Sequence, residues 1–392
     1  MKRDTVSIGE IAVVTSGGTP DRENSAYWGG AIPWVKTTLV QNCQIDACDV
    51  DEHITEMGLK SSSAKLIPAG AILMAMVGQG KTRGQVAILN IDATINQNCA
   101  AIILKDGVDT RYVYQQFLFR YEEIRNASNS SGQQNLNAGL IRELRIPLPD
   151  HSSQYAIGKL LFEWDAAITK TEQLISAKER QHRWLQHRLI DHKSVRQHWD
   201  TLELGSVLRE RSERSAVHDE YPVFTSSRRG LFLQSEYFSK QVTSEDNTGY
   251  KIMRRGDFTF RSMSDDGRFV FNRLQRYETG IISPAYGVFY AEGACPEFLA
   301  HYLNSSYFGQ LLARETQGGT RKALRYSALA GMDVDLPNRA DQERIAAFLD
   351  ESRREIDLLQ TQLETLRRQK RGLMQKLLTG QWRVKVPEAE AA

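Results

Sequence analysis

The side chains best suited by type to chemistry lie in a few places, and each fits it poorly. Gly78-Gln79-Gly80-Lys81-Thr82 has the end of a phosphate-binding loop, in which glycines bare backbone N–H groups and a lysine reaches phosphate. Such a loop also needs an opening glycine, where Ala75 stands, and a helix to follow, where Val86-Ala87-Ile88-Leu89 reads as a strand. A nucleotide site is not expected there; Lys81 and Arg83 fit a polar loop that meets phosphates from outside. His182, His187, His192 and His198 step by five or six residues, which scatters them around a helix instead of gathering them as ligands. Cys43, Cys48, Cys99 and Cys295 show no zinc spacing, so reduced thiols and no metal are expected. No Asn-Pro-Pro-aromatic or Asp-Pro-Pro-aromatic run for amino-methyl transfer occurs, and no glycine-rich turn from strand into helix for S-adenosylmethionine. Nor is there a paired-acid-plus-lysine pattern of a nuclease. These absences point to a chain without an active site of its own.

What remains is hydrogen-bond donation. Ser226-Ser227-Arg228-Arg229 and Arg261-Ser262-Met263-Ser264, with Arg268 beyond, carry donors suited to phosphates and guanine edges. Arg261 to Ser264 and Arg268 lie in the best local basic patch, Lys251 to Arg276, with seven basic and three acidic residues. Ser130-Ser131-Gly132-Gln133-Gln134 and Gly318-Gly319-Thr320-Arg321-Lys322 hold matching places between a helix and a final strand. Glycine there permits close approach to a surface, and the polar residues can bind phosphates or base edges; a solvated connector is the equal alternative. The net charge of +2 does not advertise nucleic acid. Residues 1–150 hold 14 basic and 16 acidic groups, and residues 197–337 hold 17 and 18. Affinity for a polyanion would have to come from local patches or from a charged partner.

The elements that must position these loops recur. Strand-like runs Ile32–Val35, Ala71–Val77, Val86–Leu89 and Ala100–Leu104 precede a helix at Tyr112–Arg125. Later, Tyr221–Phe224, Asp257–Phe260, Phe269–Phe271 and Gly287–Tyr290 precede one at Glu297–Arg314. At a constant offset of 188, Leu148-Pro149 recurs as Leu336-Pro337, Gln154 as Gln342, and Arg180-Gln181 as Arg368-Gln369. Each repeat opens a long amphipathic helix. One seam includes Ile157, Leu161, Trp164, Ile168, Leu185 and Leu189; the other includes Ile345, Leu349, Ile356, Leu363, Leu373 and Leu377. Steps of four and three are the rhythm of a coiled coil, and both seams turn polar at the same rung, His182 and Lys370. At about 1.5 Å per residue each helix spans on the order of 55 Å, more than one turn of B-DNA.

The length of 392 residues allows two or three domains. The segmentation is 1–150, a first mixed α/β module; 151–196, a long helix; 197–337, a second module; 338–380, a second long helix; and 381–392, a tail expected to be disordered. The fold class is α+β, with the two helices pairing as an antiparallel coiled coil. No apolar run reaches bilayer length and the N-terminus lacks a signal-peptide stretch, so no membrane is expected and a cytoplasmic location is the default.

Several stretches resemble the specificity subunits of type I restriction-modification systems. Ser16-Gly17-Gly18-Thr19-Pro20, Tyr27-Trp28 and Ile32-Pro33-Trp34-Val35 resemble the opening of a target-recognition domain, and Asn96-Gln97-Asn98 with Gly132–Pro149 its end. Tyr250-Lys251, Arg255-Gly256-Asp257-Phe258 and Gly319–Lys322 through Leu336-Pro337 match a second such domain. Asp341–Ala346 resembles the family's start of the long helix, from which Ser153-Gln154-Tyr155-Ala156-Ile157 departs. The resemblance implies that each domain reads half of a bipartite, asymmetric site in double-stranded DNA. It implies that the paired helices set the spacer and dock two modification (methyltransferase) subunits, joined by restriction/translocase subunits. S-adenosylmethionine, ATP and Mg are then expected on those partners and no cofactor on this chain. The candidate DNA contacts are Thr19, Lys36, Lys81, Arg83, Gln133, Gln134, Ser226, Ser227, Arg228, Arg229, Arg261, Ser264, Arg268, Thr320, Arg321 and Lys322. The alternatives are a non-catalytic coiled-coil scaffold for proteins only and, further off, a fused nuclease or nucleotide-binding enzyme.

Overall fold

The computed structural model describes residues 5–78, 80–130, 135–237, 246–315 and 322–384. The chain divides into two compact units, residues 1–172 with 362–392, and residues 173–361. The first runs β1 (Thr5–Ser7), α1 (Ile8–Ile11), β2 (Ala12–Ser16), β3 (Trp28–Val35), β4 (Cys43–Ile45), β5 (His53–Ile54), α2 (Glu56–Lys60), β6 (Ile72–Ala75), β7 (Val86–Leu89), β8 (Thr94–Ile95), β9 (Cys99–Leu104), α3 (Thr110–Phe119), α4 (Tyr121–Ser130), α5 (Ala138–Glu143) and β10 (Arg145–Pro147), then enters α6 (His151–Gln186). The second runs α7 (Lys193–Arg196), β11 (Asp200–Glu203), β12 (Leu208–Glu210), β13 (Val223–Ser227), β14 (Gly230–Leu233), α8 (Gln234–Tyr237), β15 (Lys251–Arg254), β16 (Phe258–Arg261), β17 (Met263–Ser264), β18 (Asn272–Arg273), β19 (Thr279–Ile282), β20 (Tyr286–Ala291), α9 (Pro296–Tyr302), α10 (Ser306–Glu315), β21 (Lys322–Ala323), α11 (Tyr326–Ala330) and β22 (Asp333–Leu336), then enters α12 (Arg339–Leu378).

In the first unit a sheet of order β2-β9-β6-β7-β4 is buried on both faces. Ile72, Met74, Val86, Ile88, Ala100 and Ile102 join one core, and their alternates Leu73, Ala75, Ala87, Leu89, Cys99 and Ala101 join another. That is the period of two of a strand, and burial of both faces explains why the sequence shows unbroken apolar runs. In the second unit the sheet β12-β20-β16-β18 buries phenylalanines instead: Phe258 and Phe289 stack 5.2 Å apart, with Phe260, Phe271 and Phe308 against them. Full burial of each such ring stabilises by about 1.5–3 kcal/mol.

A second sheet in each unit shares one pattern. β3 runs parallel to β8 and antiparallel to β5; β13 runs parallel to β19 and antiparallel to β14. Each unit is also closed by its opening strand on its final one, β1 on β10 and β11 on β22. The repeated glutamines complete this frame. Gln154 donates from Nε2 to the Pro149 carbonyl at 2.8 Å and accepts from the Asp109 N–H at 3.0 Å. Gln342 donates to the Pro337 carbonyl at 2.8 Å and accepts from the Cys295 N–H at 2.8 Å. Both side chains thus tie the end of the last strand to the residue that caps α3 or α9, and both are buried.

Three local expectations are corrected. Phe269–Phe271 is not a strand: Asn304 takes the Phe271 N–H and carbonyl in two hydrogen bonds of 3.0 and 2.9 Å, and the ladder forms at Asn272–Arg273. The helix expected over Glu297–Arg314 is two, because the Ser305 hydroxyl caps the Phe308 N–H at 3.2 Å and starts α10; the one over Tyr112–Arg125 likewise breaks at Arg120. Residues 381–384 are placed, unlike the disordered tail expected from 381 onward. The Trp382 N–H donates to the Lys376 carbonyl at 2.9 Å, and Val384 packs on the first core; residues 385–392 lie outside the described residues.

The long helices contribute to both units. In the first, Ile157 and Leu161 share a core with Leu373, Met374 and Leu377, and the Lys370 ammonium meets the Asp165 carboxylate. In the second, Leu185 and Leu189 pack in one cluster with Ile345 and Leu349, Lys178 pairs with Glu355 at 2.8 Å, and His182 Nδ1 lies 3.2 Å from the Ser352 hydroxyl. Ile356 and Leu363 are buried; Trp164 and Ile168 are half-buried.

Candidate nucleic-acid interface

The second unit brings together what the sequence held apart. Ser226, Ser227 and Arg228 from the end of β13, Arg261 and Ser264 from β16 and β17, and Arg268 line one cleft of about 460 Å³. An adjoining groove of about 1020 Å³ adds Arg229, Lys322 and Arg353. The floor is built by side-chain bonds to main chain. Asn272 Nδ2 donates to the Ser226 hydroxyl at 2.7 Å and to the Ser227 carbonyl at 2.8 Å, which holds the ribbon β13–β14 against β18. Ser264 Oγ lies 2.9 Å from the Arg268 carbonyl oxygen and β17 pairs with β21, fixing the opposite wall.

One carboxylate organises the basic groups. Asp266 accepts from Arg228 Nη2 at 2.6 Å, from the Ser264 hydroxyl at 3.0 Å and from the Arg268 N–H at 3.2 Å. The Arg268 N–H, the Arg228 guanidinium and the Ser264 hydroxyl together hold its carboxyl down at about 2, so it is ionised at any physiological pH. Arg229 stacks its guanidinium 5.4 Å from the Tyr237 ring. Asp266, Asn272, Tyr237 and Arg353 were not singled out from the sequence; an acidic residue inside a basic patch is the signal that could have flagged the first.

The basic patch itself is smaller in space than in sequence. Arg254 pairs with Glu213 at 2.8 Å, Arg255 with Glu278 at 2.7 Å and Arg273 with Glu297 at 2.7 Å. Lys251 is half-buried, and burial pushes its ammonium below the usual lysine range. Arg261 and Arg268 stay exposed on the cleft. Asp257, part of the family-like stretch, is buried under a two-point bond from Arg211 and is structural.

The first unit treats its candidates differently. Thr19 bonds its hydroxyl to the Gln97 side chain, and Gly17 presses on β8: a Cβ on Gly17 would stand 2.1 Å from the Ile95 carbonyl oxygen. Ser16–Pro20 and Asn96–Asn98 therefore meet as a structural joint. Lys36 sits between Glu52 at 2.9 Å and Asp51 at 3.0 Å, which raise its pKa, so its charge is already answered within the unit. Arg22 also meets Glu52, with its guanidinium 3.9 Å from Trp28 and 4.5 Å from Trp34, a stack that sequence reading missed. Lys81 is exposed on a loop whose carbonyl accepts from the Tyr121 hydroxyl at 2.6 Å, and Arg83 is half-buried beside it. The segment that follows is strand β7, as the apolar run Val86–Leu89 predicts. Gln133, Gln134, Thr320 and Arg321 lie outside the described residues. Among the described residues no cluster of His, Cys, Asp or Glu could hold a metal ion, and no helix is long and apolar enough to cross a membrane.

Comparison with known proteins gives this geometry a context. Residues 2–178 match the family described as Type I restriction modification DNA specificity domain. The chain is 23% identical to the type I restriction enzyme MjaIX specificity subunit of Methanocaldococcus jannaschii, over 97% of this chain and 94% of that protein. It is 28% identical to the EcoR124I/EcoR124II specificity subunit of Escherichia coli over 41% of this chain and 40% of that one. In fold it is similar to the crystal structure of a type I restriction-modification S subunit from M. genitalium, with a TM-score of 0.58, 13% identity and 96% of each chain covered. A chain from a structural study of complex assembly in the type I system is similar too, with a TM-score of 0.53, 15% identity, and 97% and 98% covered. Residues 2–178 thus match a type I restriction modification DNA specificity domain, and over nearly its whole length the chain is similar to type I restriction enzyme specificity subunits.

Proposed function

We infer that this chain is the non-catalytic reader of its complex, each unit recognising one half of a bipartite, asymmetric site in double-stranded DNA. The observation that carries this reading is the convergence of Ser226, Ser227, Arg228, Arg261, Ser264 and Arg268 on one cleft. Hydroxyls and guanidinium groups around a concavity can meet both phosphates and base edges. The repeated frame supports two half-sites. The long helices, pairing as an antiparallel coiled coil, then act as the spacer between two tandem recognition domains and dock two modification subunits, with restriction/translocase subunits joining them. Exposed Trp184 and Phe348 on those helices are the natural apolar contacts for such partners. S-adenosylmethionine, ATP and Mg belong to the partners, this chain supplies no catalytic group, and the complex works in the cytoplasm. Near-neutral units fit a reader that shares the sequence-independent phosphate contacts with its partners.

The test is to express the chain with a type I modification subunit and map methylated adenines across the host DNA. Two short defined blocks separated by a fixed gap are expected, and the chain alone with S-adenosylmethionine should methylate nothing. A single block, or methyl transfer by the pure chain, would overturn the reading. Inserting one or two helical turns near the middle of α6 should lengthen the gap and leave both blocks unchanged.

A further inference from the structure

The ribbon β13–β14 is closed by a very short turn: Ser227 pairs with Gly230, which leaves Arg228 and Arg229 as its tip. Both are exposed, and both are held in place, Arg228 by Asp266 and Arg229 by the Tyr237 ring. The B-DNA major groove, roughly 12 Å wide, admits a two-stranded ribbon. A phosphate contact asks only for positive charge, and an ionised carboxylate 2.6 Å from the guanidinium would repel a phosphate. A base edge asks for something else. Guanine offers two acceptors, O6 and N7, to the fork of an arginine, and its partner cytosine offers an N4 donor to a carboxylate. Arg228 with Asp266 presents that complement, donors beside an acceptor, on the wall of the adjoining groove.

We propose that the β13–β14 tip enters the major groove and that Arg228, oriented by Asp266, reads one G·C pair in the half-site of the second unit. This rests on the DNA-reading function argued above. Arg228 is the specificity-determining residue, Asp266 its positioning residue, and Arg229 a backbone contact.

The experiment maps methylated motifs for the full complex carrying the native chain, Arg228→Ala, Arg228→Lys, Asp266→Asn or Arg229→Ala. The native motif should contain a G·C pair that Arg228→Ala and Asp266→Asn both relax, with discrimination there falling roughly five- to hundredfold and the rest of the motif intact. Arg228→Lys, which keeps the charge and loses the fork, should relax the same pair. Arg229→Ala should lower methylation at all sites with the motif unchanged. If Arg228→Ala methylates nothing, Arg228→Lys decides: a relaxed pair supports the proposal and an unrelaxed motif overturns it. An unchanged motif in Arg228→Ala likewise overturns it while leaving the DNA-reading function standing. A native complex without any motif would defeat that function itself.

Discussion

The two units keep one frame and spend the space between its strands differently. In the second, β14 follows β13 after a two-residue turn, so the antiparallel partner arrives at once and the arginine tip projects beside a cleft. In the first, the equivalent partner β5 comes only after residues 36–52, which include β4 and add a fifth strand to the neighbouring sheet. That excursion carries Asp51 and Glu52, which occupy Lys36 and Arg22. The difference teaches that the frame does not dictate which cations are available. The inserted segment does, by bringing or withholding carboxylates.

The polar rungs of the two long helices make the comparison breakable. Lys370 is buried against Asp165, which Gln115 also holds at 2.6 Å. Its counterpart His182 has a hydroxyl at 3.2 Å and the His301 ring 6.2 Å away. Lys370→Ala should therefore cost the first unit roughly 3 kcal/mol, the lower end for a broken buried pair because Asp165 is partly exposed. His182→Ala should cost the second about 1 kcal/mol. Hydrogen exchange resolved by unit checks this; equal losses would mean the rungs are equivalent after all. Burial, then repulsion from His301, Arg353 and Arg183, holds His182 below the usual imidazole range, against an opposing pull from Asp350. Folding thus favours the neutral ring. Its contribution is complete above about pH 6.5 and is lost as pH falls through the lower folded value, so acidification should loosen the second unit, and His182→Gln should abolish that slope.

The glutamines sharpen the likeness. Gln154→Ala strands a part-buried N–H and carbonyl and Gln342→Ala a buried pair, and each should cost about 2 kcal/mol of its own unit in urea titrations. Costs differing by more than about 1 kcal/mol would show that the two joints are not the same device. The smallest effect lies at the helix starts. Asp150 caps α6, accepting from the Ser152 and Ser153 hydroxyls at 2.6 and 2.9 Å and the Ser153 N–H at 2.9 Å, and these bonds hold it at about 2. Asn338 caps α12 through the Asp341 N–H at 3.0 Å and does not titrate. Asp150→Ala should cost about 1 kcal/mol. The Asp150 cap is present above its unfolded value of about 3.9 and fades as pH falls toward 2, so helicity at the start of α6 should decline over that window.

Much of the frame was legible because it rests on local chemistry. Alternating or continuous apolar runs gave β6, β7, β9, β16 and β20, and the Leu-Pro and Gln matches at one offset marked the joints. What stayed hidden depends on partners distant in sequence. Asn304 stealing the Phe271 backbone bonds, Glu52 claiming Lys36 and Asp266 claiming Arg228 involve separations of 33, 16 and 38 residues. No periodicity encodes them. The cleft was half legible for the same reason: its donors were visible as residue types, but their meeting was not.

The make-up of the first unit also fixes an order of assembly. Its core contains Met374, Leu377 and Leu378, and Gln116 Nε2 donates to the Leu378 carbonyl at 3.1 Å. Residues 173–361, by contrast, form the second unit from one uninterrupted stretch. During synthesis, the region translated first must wait for residues beyond 361 before its interior is covered, whereas the region translated later can finish ahead of it. A released chain ending at residue 361 would hold every residue of the second unit and a first unit with an open flank.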